Sequence, residues 1–355
     1  MSEVEPVLAY FGLREQPFSP TADPAYMFVT PGHKECLYRL WNHLDGRHGI
    51  ALVLGSYGTG KTTLLRKVLT GMRADPQRYC TAVIGSPVPS WTTFALLEKT
   101  VEQFGLTPEE RSFGSYLECL NQFLIQQRGR VVTLIIDDAQ NLNKRGQIEL
   151  LRLVQNLETS QHKLLNLVLF AQLEWIPILQ AVPQFEQRIN LTYTVTPLSL
   201  EELERVVLFR LEQAGATVER GPIFEEQALR VVHAYGQGSP RVTITLCRNA
   251  LLMAMQQKTR HITEDIVVQT IERTTLPDRT KRGRVDAVAT RPRPWAEAQA
   301  PAESAPVSIP AASPRGVVLE AAEALTPDAR RAARARDLLM RGTRGRDQTL
   351  PGRNP

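Results

Sequence analysis

Two short stretches carry side chains whose types and spacing suit phosphate chemistry. The first is Gly55-Ser56-Tyr57-Gly58-Thr59-Gly60-Lys61-Thr62-Thr63. It has the Gly-x-x-x-x-Gly-Lys-Ser/Thr spacing of a P-loop. Its glycines let the backbone bend around an anion with no Cβ in the way. The loop N–H groups then converge on that anion, and a following helix adds its positive end. Residues 55–63 are therefore expected to hold ATP. Lys61 is the point charge for the β- and γ-phosphates, and the Thr62 hydroxyl is a Mg²⁺ ligand. The second stretch is Asp137-Asp138-Ala139-Gln140-Asn141, which follows the apolar run Val131 to Ile136. Two acids at the end of a buried strand fit the Walker B pattern. Asp137 is expected to hold Mg²⁺ and Asp138 to orient the attacking water. An Asp-Asp turn would look the same in isolation, but this one lies about 70 residues after a P-loop.

These side chains act only if the right elements hold them. Ile50 to Leu54 reads as a buried strand running into the P-loop, and Leu64, Leu65, Val68 and Leu69 mark a helix after it. Further strands are expected at 80–84, 131–136, 164–170 and 191–196, with helices at 90–104, 113–127 and 144–158 between them. That alternation predicts an α/β fold, a five-stranded parallel sheet with helices on both faces. Gln172 follows the fourth strand, where its side chain is placed to sense a γ-phosphate. Ser199-Leu200-Glu201-Glu202 is a capping box. It opens an all-helical stretch, with more helices at 223–235, 240–256 and 263–273. Upstream, residues 32–45 read as a helix, preceded by an ordered loop. Phe11, Pro17 and Phe18 in that loop are candidates for an adenine pocket, but core packing is the favoured role for each of them.

Composition divides the chain. Of its 355 residues, 43% are hydrophobic, and the net charge is +5. Residues 277–355 hold 15 Lys/Arg against 9 Asp/Glu, so the tail carries +6 and the rest −1. The tail also holds ten of the 24 prolines. It is expected to stay disordered, apart from residues 328–341, which could turn helical on a partner. No apolar run is long enough to cross a membrane, and the N-terminus shows no signal-peptide pattern. Cys36, Cys80, Cys119 and Cys247 lack metal-ligand spacing, and four reduced thiols in a cytoplasmic protein are expected. The expected organisation is an N-terminal segment on the nucleotide site (1–49), an α/β core (50–198), a helical lid (199–276) and a basic tail (277–355).

Taken together, residues 8–275 resemble an AAA+ ATPase of the ExeA type, the general-secretion-pathway ATPases, a branch that also includes transposition helpers similar to TniB and MuB. The resemblance rests on Tyr10-Phe-Gly-Leu with Pro17-Phe18, Gly58-Thr-Gly-Lys-Thr-Thr63, Ile136-Asp-Asp-Ala-Gln-Asn-Leu142, Gln187-Arg-Ile189 and Ser239-Pro-Arg241. It implies Gln172 as sensor 1 and Arg241 as sensor 2, reaching the γ-phosphate from the lid. It also implies Arg188 as an arginine finger acting on a neighbouring subunit, hence a homo-oligomeric ring or filament. Asp138 stands where the family has Glu, one methylene longer, so slow turnover is expected. The resemblance leaves two roles. One is a DNA-binding transposition helper whose tail touches duplex DNA or a transposase. The other is an ATPase acting on an inner-membrane secretion or export component. The tail shows neither the membrane span nor the peptidoglycan-binding module of full secretion-type relatives, so the first role is the expectation, in a bacterial cytoplasm.

Overall fold

In a computed structural model, residues 4–20, 26–158, 163–216, 221–276 and 279–289 are described. Five strands form one sheet: β1 Ile50–Gly55, β2 Tyr79–Ile84, β3 Val131–Ile136, β4 Leu165–Ala171 and β5 Ile189–Val195. Their order is β2-β3-β4-β1-β5, and every pairing is parallel. The strands β1, β3 and β4 are buried along their whole length. This explains why they read as near-continuous apolar runs rather than alternating ones. Within β1, Ile50, Leu52 and Leu54 join one core layer, while Ala51 and Val53 join the other. The period of two sends neighbours to opposite faces.

Helices cover both faces. α2 (Pro31–Asp45) and α3 (Lys61–Arg73) pack on one, and α4 (Thr93–Gln103), α5 (Phe113–Gln126) and α6 (Arg145–Gln155) on the other. Asn166 interrupts the apolar run of β4 for a reason. Its Oδ1 accepts from Gly49 N at 3.2 Å and its Nδ2 donates to Leu44 O at 3.4 Å. It thereby ties β4 to the turn that feeds β1. Two short helices, α7 (Ile176–Gln180) and α8 (Pro183–Glu186), lead from β4 to β5. Sequence pattern did not predict them, because each is shorter than two turns.

A second core belongs to the helices α9 (Leu200–Gln213), α10 (Glu226–Gly236), α11 (Pro240–Gln256) and α12 (Glu264–Thr274). The expected capping box is present: Ser199 Oγ accepts from Glu202 N at 3.2 Å, and Glu202 Oε2 accepts from Ser199 N at 3.0 Å. Within the stretch expected to be disordered, residues 279–289 instead form a helix, α13 (Arg279–Ala289). It is held by burial of Val285, by an Arg282–Glu272 ion pair at 3.0 Å and by Lys281 over the Tyr235 ring at 5.4 Å. Packing against a neighbour supplies what its composition lacks. The expected helix at 328–341 lies outside the described residues.

The N-terminal segment also departs from expectation. It starts with α1 (Val4–Phe11), and its apolar residues enter the lid core. Phe11 and Phe18 are buried there, with Phe18 edge-on to Phe224 at 5.9 Å. The Pro17 carbonyl accepts from Arg210 Nη1 of α9 at 3.0 Å. The favoured core-packing reading therefore holds for Phe11 and Phe18, Pro17 is tied to α9, and none of the three lines the nucleotide cleft. The four cysteines are free; burial pushes the Cys36 thiol up to about 12.

Candidate nucleotide site

The sheet topology gathers the site. β4 lies between β1 and β3, with Leu54 beside Ala171 and Ile136 beside Leu169. The next residues along each strand are thus the P-loop, Gln172 and Asp137, all at the carboxyl ends of three adjacent strands. Open α/β sheets bind ligands at that end.

The P-loop turns through Gly58 at φ +77° and Gly60 at φ +95°, and α3 starts at Lys61. Only glycine adopts these angles without strain. Lys61 is folded back on the loop, with Nζ 2.8 Å from Gly55 O and 3.0 Å from Ser56 O. Burial lowers its pKa, and the charges of Asp137, Asp138 and Glu174 oppose that shift. Thr59 Oγ1 donates to Ser56 O at 2.9 Å and closes the turn. Gly55 and Ser56 thus form the back of the loop through their carbonyls. Tyr57 to Thr63 face a cleft of about 320 Å³.

Thr62 Oγ1 donates to Asp137 Oδ2 at 2.8 Å. Asp137 is buried, which raises its carboxyl pKa; the Thr62 hydrogen bond opposes the rise. A hydroxyl and a carboxylate brought together at the phosphate loop are a donor set suited to Mg²⁺, which takes few protein oxygens and keeps water and phosphate ligands. Asp138 and Gln172 line the same cleft, as does Arg241 from the start of α11.

The lid touches the P-loop directly. Arg241 N donates to Gly58 O at 3.4 Å. A methyl at Gly58 would lie 2.7 Å from Ser239 Oγ and 3.0 Å from Arg241 Cβ. Arg241 Nη1 also donates to the Tyr57 hydroxyl, and its guanidinium carbon sits 4.9 Å from the Tyr57 ring centre. Tyr57 is 65% exposed. Arg188 is elsewhere: it precedes β5, at the amino end of the sheet, and donates to Asn156 Oδ1. It does not line the cleft of its own chain.

Several cleft neighbours carried no role in the sequence pattern. Pro20 and Met27 supply its N-terminal wall, and Arg210 reaches it from α9. His33, at the third position of α2, exchanges bonds with Thr30: its N donates to Thr30 Oγ1 at 3.2 Å, and its Nδ1 accepts from Thr30 N at 3.4 Å. It also bonds the Thr59 backbone, and burial lowers its pKa. Gln140 bridges Asp138 and Gln172. Its place inside the Walker B string was the available signal; nothing in the sequence marks His33.

Fold and site together define an AAA-type P-loop ATPase. The AAA domain family matches residues 44–179. The chain is similar to the ExeA-type ATPases: it is 34% identical over 259 residues to General secretion pathway protein A of Aeromonas hydrophila, across 71% of this chain and 46% of that protein. It thus spans a little under half the length of this curated relative. Among solved structures, Cdc6p from Pyrobaculum aerophilum aligns with a TM-score of 0.57 at 20% identity, over 74% of this chain and 71% of the other. The Drosophila ORC bound to DNA aligns at 0.53 and 20% identity, over 76% and 65%. ORC2 of Aeropyrum pernix, with ADPNP and ADP, aligns at 0.51 and 19% identity, over 72% of each chain. These likenesses show the fold. No described helix is long and apolar enough to cross a membrane.

Proposed function

We propose that this protein hydrolyses ATP with Mg²⁺ as a homo-oligomeric switch whose ATP state controls its hold on duplex DNA, in the manner of a transposition helper. The observation that carries the hydrolytic part is the 2.8 Å contact between Thr62 and Asp137. A bound Mg²⁺ would neutralise phosphate charge there. Lys61 pairs the β- and γ-phosphates, Asp138 orients the attacking water, and Gln172 and Arg241 read the γ-phosphate. Arg188 serves a neighbouring subunit's site, in keeping with its distance from its own cleft. A finger of that kind is worth ~10³ to 10⁵ in rate.

Turnover assays test this reading. Lys61→Ala is expected to abolish nucleotide binding; unchanged turnover would sink the nucleotide site. Arg188→Ala subunits and Lys61→Ala subunits should each be inactive alone and partly active when mixed. Absence of recovery on mixing rejects the finger in trans.

The DNA part is supported by the +6 charge of residues 277–355 beside a nearly neutral remainder. Binding to duplex DNA should need ATP and Mg²⁺ and should weaken as salt rises. No binding at low salt removes it. A second reading, an export ATPase acting on a membrane protein, is favoured by the kinship with General secretion pathway protein A. Co-purification with an inner-membrane component, without DNA affinity, would select it.

A further inference from the structure

The water-orienting acid of this site has a short arm, and its surroundings hold it in place. Asp138 adopts a left-handed backbone, φ 50° and ψ 40°. Its N–H donates to Asp137 Oδ1 at 3.1 Å. Its carboxylate Oδ1 accepts from Gln140 Nε2 at 3.0 Å. The other end of the same amide is also used: Gln140 Oε1 accepts from the backbone N–H of Gln172 at 3.1 Å. That N–H settles which end of the amide is oxygen, so the NH₂ must face the carboxylate. One side chain therefore joins the acid after β3 to the first residue after β4, and both of those residues line the cleft.

We propose that Gln140 is a positioning residue for hydrolysis. Its amide sets the direction of the Asp138 carboxylate and couples that direction to the backbone carrying Gln172. The inference rests on Asp138 as the acid that orients water. A non-Gly residue with positive φ holds its side chain along a direction that the ordinary helical and extended backbones do not give. With one methylene fewer than Glu, Asp138 has fewer rotamers by which to correct an error in aim. A group that fixes that aim then matters to the rate, since misplacement by about 1 Å can cost about 10²-fold.

The test uses the full chain and compares Gln140→Glu, Gln140→Ala and Asp138→Asn in steady-state turnover, in affinity for a fluorescent ATP analogue and in thermal unfolding. Gln140→Glu keeps size and the acceptor for Gln172 N–H, but replaces the NH₂ donor with an oxygen that repels Asp138. Both Gln140 variants are expected to lose about 10- to 100-fold in kcat while nucleotide affinity stays within about twofold. Asp138→Asn should lose at least as much. Adding Gln140→Ala to Asp138→Asn should cost nothing further, because the amide acts through the acid. If Gln140→Glu turns over like wild type while Asp138→Asn is inactive, the positioning role is overturned and the role of Asp138 stands. If Asp138→Asn turns over like wild type, the reading beneath the proposal is overturned instead. Equal losses in kcat and in nucleotide affinity would mean that Gln140 shapes the cleft rather than aims the acid, which also overturns it.

Discussion

Lys61 shows how a residue's chemistry and its resting contacts differ. Its ammonium lies on the Gly55 and Ser56 carbonyls, which satisfy a buried cation that a bound phosphate would have to draw away. Asp137 has a similar arrangement, paired with Thr62 at 2.8 Å. Burial raises the Asp137 pKa, and a divalent cation would favour its ionised form. In wild type, ATP with Mg²⁺ should therefore raise Tm more than ATP with a chelator. At 100 times Kd, a ligand adds about 2.7 kcal/mol. Asp137→Asn should lose the increment due to Mg²⁺ and keep the increment due to ATP alone. Equal Mg²⁺ increments in the two proteins would move the metal away from Asp137.

At the scale of elements, the junction between α10 and α11 fixes where the lid meets the core. Gly238 has φ +71°, and its carbonyl accepts from Leu198 N at 2.8 Å. A Cβ there would lie 2.2 Å from Leu198 O and 2.9 Å from Leu198 N. Both are backbone atoms, so neither can swing away. Gly238→Ala is expected to destabilise the protein by at least ~2 kcal/mol, read as a lower denaturant midpoint. A change under ~0.5 kcal/mol would show that the junction yields. The same junction delivers Ser239 and Arg241 to Gly58, so lid position and loop geometry are mechanically joined. The N-terminal segment strengthens the lid side of that joint: Arg14 N donates to Ala214 O at 2.7 Å, and Arg210 donates to Pro17 O.

Across the whole molecule, two buried histidines make stability depend on pH. Burial lowers the pKa of both His33 and His43. A group whose folded pKa is depressed contributes stability above its unfolded pKa, near 6.5 for histidine. That contribution is lost as pH falls through the folded value. Asp137, with its raised pKa, works in the opposite direction, so the histidine share is best read as a difference. Between about pH 7 and pH 5, the wild type should lose more stability than His43→Gln, measured by unfolding at each pH. Parallel pH curves for the two proteins would exclude a buried neutral His43.

The parts legible in the sequence are those whose chemistry is local. A P-loop is nine neighbouring residues, a buried parallel strand is one apolar run, and a capping box spans four positions. The sheet, the lid helices and the grouping of Lys61, Thr62, Asp137 and Asp138 could be read on that basis. Contacts between distant residues could not. Arg241 meets Tyr57 across 184 positions, and Phe11 and Phe18 leave the nucleotide cleft for a core made by helices roughly 200 residues away. An aromatic residue in a loop has the same local pattern in either place, and only the apolar surface offered by the lid decides between them. Likewise α13 folds because α10 offers it a face. Gln140 stood in plain view within its motif, but its bridge exists only because β4 lies beside β3.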